Sequence, residues 1–246
     1  MSAEVAGTNP GHPAQFELTR WSIIVAAGGA DSERARKGLE HLCSAYWYPI
    51  YAFIRRQGHG PHDAQDLTQE FFARLLAKNF LGAADPGKGR FRSFLLGTLK
   101  HFLSDEWDRA RAEKRGGGQQ FVSLDAGSAE TRYKLEPAGE ASAEQIFNRR
   151  WALALLEQVL TRLRGEMSAA GKLAEFEALK SSLSGEKRPY AEIASELNTS
   201  EGAVKVAVHR LRHRYRDLIR AEIAETVATP AEIEDELRHL LAALST

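Results

Sequence analysis

The sequence predicts an all-α protein: two small helical domains joined by a flexible linker, the second carrying a helix-turn-helix. Three observations lead there. Apolar residues recur at the 3.6-residue helical period through most of the 246-residue chain, and no alternating stretch is long enough for a sheet. Helix-breaking Gly and Pro gather in a few places, chiefly GAADPGKG at 82–89 and the glycines from Gly116. The length also suits two domains of ordinary size.

In chain order, residues 1–15 (MSAEVAGTNPGHPAQ) show no periodicity and are read as a disordered tail. They lack the basic stretch followed by an apolar one that marks a signal peptide, and no apolar run approaches about 18 residues, so no membrane insertion and a cytoplasmic location are expected. Cys43 has no second cysteine to pair with and sits beside Leu42, Tyr46 and Trp47, the setting of a buried reduced thiol. Helices are expected over 33–57 (Leu39, Leu42, Tyr46, Ile50, Phe53, Ile54), 62–78 (Leu67, Phe71, Leu75) and 91–113 (Phe94, Leu95, Leu99, Phe102, Leu103, Trp107). These place a first domain at 16–115.

Gly116, Gly117 and Gly118 open a polar stretch, 116–141, read as the linker. Ser142 and Gln145 then form a capping-box pattern ahead of Ile146, Phe147, Leu153, Leu156, Leu160 and Leu163, which predicts a long helix stopping near Gly165. A shorter helix follows at about 172–183. The second domain spans 142–222. Beyond it, 223–246 reads as an acidic amphipathic helix, with Thr229 as cap, Pro230 in the first turn and a stripe of Ile233, Leu237, Leu240, Leu241 and Leu244.

Net charge is zero, 33 basic against 33 acidic residues, but the charges are segregated. Residues 88–115 hold eight Lys or Arg against four Asp or Glu, residues 201–220 six against two, and residues 222–246 six acids against one base. Two basic blocks and an acidic tail are hidden in a neutral average.

The second basic block lies in PYAEIASELNTSEGAVKVAVHRLRHRYRDLI, residues 189–219. Tyr190, Ile193, Ala194 and Leu197 give one apolar face, Asn198 and Thr199 interrupt it, and Ser200 with Glu201 suits the start of a second helix. Val204, Val208, Leu211 and Tyr215 stripe that helix, leaving Lys205, His209, Arg210, Arg212, His213, Arg214 and Arg216 largely elsewhere. A short helix bracing a basic one fits major-groove reading; an αα-hairpin with a solvated basic face is the plainer alternative. His209 and His213, four apart, lack the further ligands a metal site needs, and no metal or cofactor is expected.

In the helix over 62–78, Asp63, Asp66, Glu70 and Arg74 share a face beside Leu67, Phe71 and Leu75, a mixture suited to protein docking and equally to solvent. A catalytic role for Asp66 and Glu70 finds no complementary nucleophile or phosphate loop, so the chain is not read as an enzyme. The helix over 91–113 mixes cations with aromatics, as single-stranded DNA sites do, although the spacing of Phe94 and Phe102 favours the core.

Together these residues carry a resemblance. EIASELNTSEGAVKVAVHRLRHRYRDLI resembles the promoter-recognition helix-turn-helix of bacterial RNA polymerase sigma factors of the extracytoplasmic-function type, in the sigma-70 superfamily. DAQDLTQEFFARLL at 63–76 resembles that family's polymerase-clamp-binding helix, and GRFRSFLLGTLKHFLSDEWDRARAEKR its promoter-melting helix. The resemblance implies core RNA polymerase and promoter DNA as partners, with an anti-sigma factor as a further candidate. It implies polymerase binding by Asp63, Asp66, Leu67, Gln69, Glu70, Phe71 and Arg74. Melted promoter DNA would be held by Arg90, Arg92, Lys100, His101, Trp107, Arg109 and Arg111, and the upstream element by Thr199, Ser200, Glu201, Lys205, His209, Arg210 and Arg212. The chain departs from the family where VKSR is common: it reads Val204, Lys205, Val206, Ala207. The rival functions are a stand-alone helix-turn-helix regulator and a helical adaptor that has lost DNA binding. For the tail, two readings stand: a fold-back placing its carboxylates near the basic face of the second domain, or a cap on the core.

Overall fold

The computed structural model describes residues 33–76, 90–112, 126–134, 141–186, 188–227 and 229–245. Among them all regular structure is helical: α1 Glu33–Arg56, α2 Pro61–Leu76, α3 Phe91–Ala112, α4 Ala126–Lys134, α5 Ala143–Ala169, α6 Leu173–Leu179 with a 3₁₀ turn Lys180–Leu183, α7 Tyr190–Glu196, α8 Glu201–Ala224 and α9 Pro230–Ser245. The expected tail 1–15, the thiol of Cys43, the turn at 82–89 and the glycines from Gly116 lie outside the described residues.

Local sequence accounts for the helix starts. Ser142 accepts a hydrogen bond from Gln145 N while the Gln145 side chain accepts one from Ser142 N, closing the capping box. Ser200 caps α8 by accepting from Ala203 N at 3.2 Å. At the start of α9, Glu232 reaches back to Thr229 N at 3.0 Å.

Tertiary packing overrode two expectations. α5 does not stop near Gly165 but runs on to Ala169, and the chain turns at Gly171, whose φ of +71° suits glycine. An internal Gly costs a helix only about 1 kcal/mol, and beyond it Met167 packs half-buried against the core. The segment read as a linker also contains α4. Its Ala129 is 2% exposed and Tyr133 meets Tyr51 edge-on at 6.5 Å, so a stretch without apolar periodicity still finds a seat on α1.

The two halves share one core. α5 packs along α1 with its N-terminal half, where Phe147 meets Tyr46 and Phe53, and carries the second half with Val159 and Leu163. The hydrophobic cluster runs without interruption from Tyr46 and Phe91 through Trp151 to Val204, Ile223 and Leu240. α9 closes back on α5 and α8. Its Asp235 and Glu236 meet Arg90 and Arg92 at the start of α3, while Glu234 meets the second half at Arg220, 2.5 Å away. The tail thus folds back as one reading had it, but two of its carboxylates seat on the first half. Buried Arg92, with half-buried Arg90 beside it, offers the deeper ionic partner there.

Candidate polymerase and nucleic-acid interface

α2 presents two kinds of residue among those assigned to polymerase docking. Asp63 and Asp66 are exposed. Phe71 is 1% exposed and packs its ring against Phe72 and Phe102, so it holds α2 in the core and cannot offer its ring to a partner. Leu67 is half-buried against the same core. Gln69 is half-buried, and its Nε2 finds no hydrogen-bond partner among the described residues. Arg74 bridges Glu70 at 2.8 Å and Glu106 of α3 at 2.5 Å, and its guanidinium lies over Phe102 at 4.9 Å. Glu70 and Arg74 therefore tie α2 to α3, which leaves Asp63 and Asp66 as the open acidic face.

Along α3 the residues assigned to melted DNA also divide. Arg92 is 6% exposed: it donates to both carboxylate oxygens of Glu236 at 2.8 and 3.2 Å, to Asn148 Oδ1 at 2.5 Å, and lies 4.7 Å over the Trp151 ring. Arg90 pairs with Glu236 at 3.2 Å and Asp235 at 3.3 Å, and its Nη1 lies 3.0 Å from the His239 ring. Lys100 pairs with Glu144 of α5, and Arg109 with Glu106 at 2.9 Å. His101 is exposed, and Trp107 is 59% exposed, which an aromatic at the end of a core-packed helix is not for packing's sake. The Arg111 side chain lies outside the described residues.

The third group lies on α7, the turn and α8. Asn198 takes φ +50°, a left-handed conformation that Asn tolerates, and Thr199 N donates to Ala194 O at 2.9 Å to close the turn. Val204, Val208, Leu211, Leu218 and Ile223 bury one face of α8. The opposite face carries Lys205, His209 and Arg210, all exposed and without an ion pair among the described residues, above the exposed Thr199, Ser200 and Glu201. Two cations read as part of this surface are engaged elsewhere. Arg212 donates twice to Ser182 O, at 3.2 and 2.9 Å, and Arg214 holds Glu166 of α5 with two bonds of 2.8 Å. That pairing keeps the Glu166 carboxyl below its ordinary range. Sequence reasoning missed Val206, which is 49% exposed at the centre of the outward face; its signal was its position two residues off the core stripe. Ala207, the expected basic position, is half-buried against the core. Among the described residues no three His, Cys, Asp or Glu side chains group as metal ligands, and no helix is long and apolar enough to cross a membrane.

The family description for sigma-70 region 2 matches residues 44–113, the span from mid-α1 to the end of α3. Over 210 residues the chain is 28% identical to a protein of Mycolicibacterium smegmatis named ECF RNA polymerase sigma factor SigE, covering 85% of this chain and 71% of that one. Over residues 44–113 the chain is thus similar to sigma-70 region 2. No solved structure matches it. The matched span contains both the open acidic face of α2 and the exposed His101 and Trp107 of α3, and the similarity to the relative, over 85% of this chain, reaches beyond that span.

Proposed function

We propose that this chain is a sigma factor that binds core RNA polymerase, recognises an upstream promoter element through α8 and helps open the downstream element through α3. The observation that carries the reading is a division of labour along three helices. On each of α2, α3 and α8 an apolar face is buried while a chemically distinct face is left open: acidic on α2, His101 and Trp107 on α3, basic on α8. Asp63 and Asp66 suit a basic protein surface. Trp107 and His101 suit unstacked bases, where stacking contributes about 1–3 kcal/mol per base. Lys205, His209 and Arg210 stand where the first turns of a recognition helix meet base edges. No nucleotide hydrolysis is needed: binding energy from polymerase and DNA is applied to an open duplex. The domain assignment follows the same lines, 16–115 serving polymerase and melting and 142–222 serving the upstream element. We place the protein in the cytoplasm, where its partners are.

Run-off transcription with purified core enzyme on a genomic fragment library tests the reading. Specific transcripts that depend on the chain support it. Salt-dependent DNA binding without co-purification of core enzyme would instead make it a stand-alone regulator.

A further inference from the structure

The start of α3 is an occupied anion site. Arg90 and Arg92 point two guanidinium forks at one place, at a helix N-terminus that also favours negative charge. The anions seated there come from α9: Glu236, fully buried, bridges both arginines, and Asp235 adds a second carboxylate on Arg90. The segment ahead of α9 is drawn in as well, since Phe91 N donates to Thr226 O at 3.1 Å.

The way α9 is held differs from the way the core helices are held. Of its sixteen residues only Glu236, Leu240 and Ala243 are buried, and Leu241 is 62% exposed. Ile233, Leu237 and Leu244 are half-buried against the core, so its apolar contact is one stripe, and an isolated helix of this length is marginal in water. Charge fixes where it sits. If α9 leaves, Glu236 and Asp235 return to water, where they are well solvated, so no buried carboxylate is stranded. Arg92 stays aimed, because Asn148 and the Trp151 ring belong to α5 and hold it independently of α9. A guanidinium fork fits a phosphate as well as a carboxylate.

We propose that α9 is an intramolecular stand-in for DNA phosphate: in the free chain it seats Asp235 and Glu236 on Arg90 and Arg92, and the backbone of a single-stranded promoter segment displaces it. The inference rests on the reading of α3 as a surface for melted promoter DNA. It also reconciles that reading with the burial of Arg92, which is closed to DNA only while α9 is in place.

The test uses the full chain and a fluorescein-labelled single-stranded oligonucleotide followed by anisotropy across a salt series. Asp235→Asn and Glu236→Gln should each tighten binding several-fold and steepen the salt dependence, by about 0.7 in log–log slope for each further phosphate that is neutralised. Adding Arg90→Ala should cancel the tightening. In the unaltered chain, amide-exchange protection of residues 230–245 should fall when the oligonucleotide binds. Unchanged affinity in variants of intact helical content, a tightening that survives Arg90→Ala, or full α9 protection in the bound chain overturns the proposal. Glu236 is buried, so if Glu236→Gln loses helical content, the half-buried Asp235, as Asp235→Asn, and the exchange measurement decide. Co-purification with core enzyme and run-off transcription by the unaltered chain separate the two levels. Their failure strikes the sigma-factor reading, whereas their success with no response from α9 strikes only this inference.

Discussion

Arg55 and Glu130, 75 residues apart, meet through two N–H···O bonds of 3.0 Å, and Tyr51 donates its hydroxyl to the same carboxylate at 2.6 Å. This cluster, with Arg55 lying 4.7 Å over the Tyr133 ring, fastens α4 to α1. It explains how a stretch of polar residues holds a place that its apolar content alone would not secure.

Glu130→Ala should therefore destabilise the protein by about 1–3 kcal/mol, since it leaves Arg55 and Tyr51 without their acceptor. Thermal denaturation checks this, and amide exchange should show α4 released before α1. An unchanged melting temperature would mean that α4 is held by something other than this carboxylate.

The same contact sets a pH dependence. Hydrogen bonds from Arg55 hold the Glu130 carboxyl below its ordinary value of 4.5. A depressed carboxylate contributes its stability above the unfolded-state value and loses it as pH falls through the folded-state value. The unaltered protein should thus lose stability more steeply below about pH 4.5 than Glu130→Gln does, as measured by urea midpoints across an acid series.

On α2, the open Asp66 and the engaged Glu70 should behave differently. Asp66→Arg should abolish co-purification with core RNA polymerase at unchanged melting temperature. Glu70→Arg places a cation against Arg74 and should lower the melting temperature as well. Retained co-purification of a folded Asp66→Arg variant removes α2 from the polymerase contact.

On α8, Lys205→Ala and Arg212→Ala should separate binding from stability. Loss of Lys205 should weaken the upstream element by about 1–3 kcal/mol if it meets a base, or flatten the salt slope by about one if it meets phosphate. Loss of Arg212 should chiefly loosen the 3₁₀ turn at Ser182. Equal DNA defects in the two variants would contradict this division. Exposed Val206 adds a finer check: deoxyuridine in place of one thymine should weaken the unaltered chain, and Val206→Ala should be insensitive to it, because the lost methyl is its contact.

On α3, Trp107→Ala should reduce open-complex formation, read by permanganate reactivity of unpaired thymines, by about 1–3 kcal/mol per base it stacks. Its exposure predicts little change in melting temperature.

The sequence by itself determined the helical class, the order of the long helices and the turn between α7 and α8, because each of these is written locally. The 3.6-residue stripes of α1, α3 and α8, the Ser142–Gln145 box, the Ser200 cap and the turn at Asn198 need no distant partner to be recognised. Tertiary structure decided what each exposed-looking polar residue does. Nothing local distinguishes Arg92, buried on Glu236, from Arg210, open to solvent, or Arg212, spent on Ser182 O, from Lys205. Helical periodicity gives the face a side chain occupies, but these arginines bond to residues 30 to 144 positions away, and which residue arrives there depends on how the helices cross. For the same reason local sequence marks α4 as linker and Phe71 as a contact: one is seated by a remote guanidinium, the other by a remote ring.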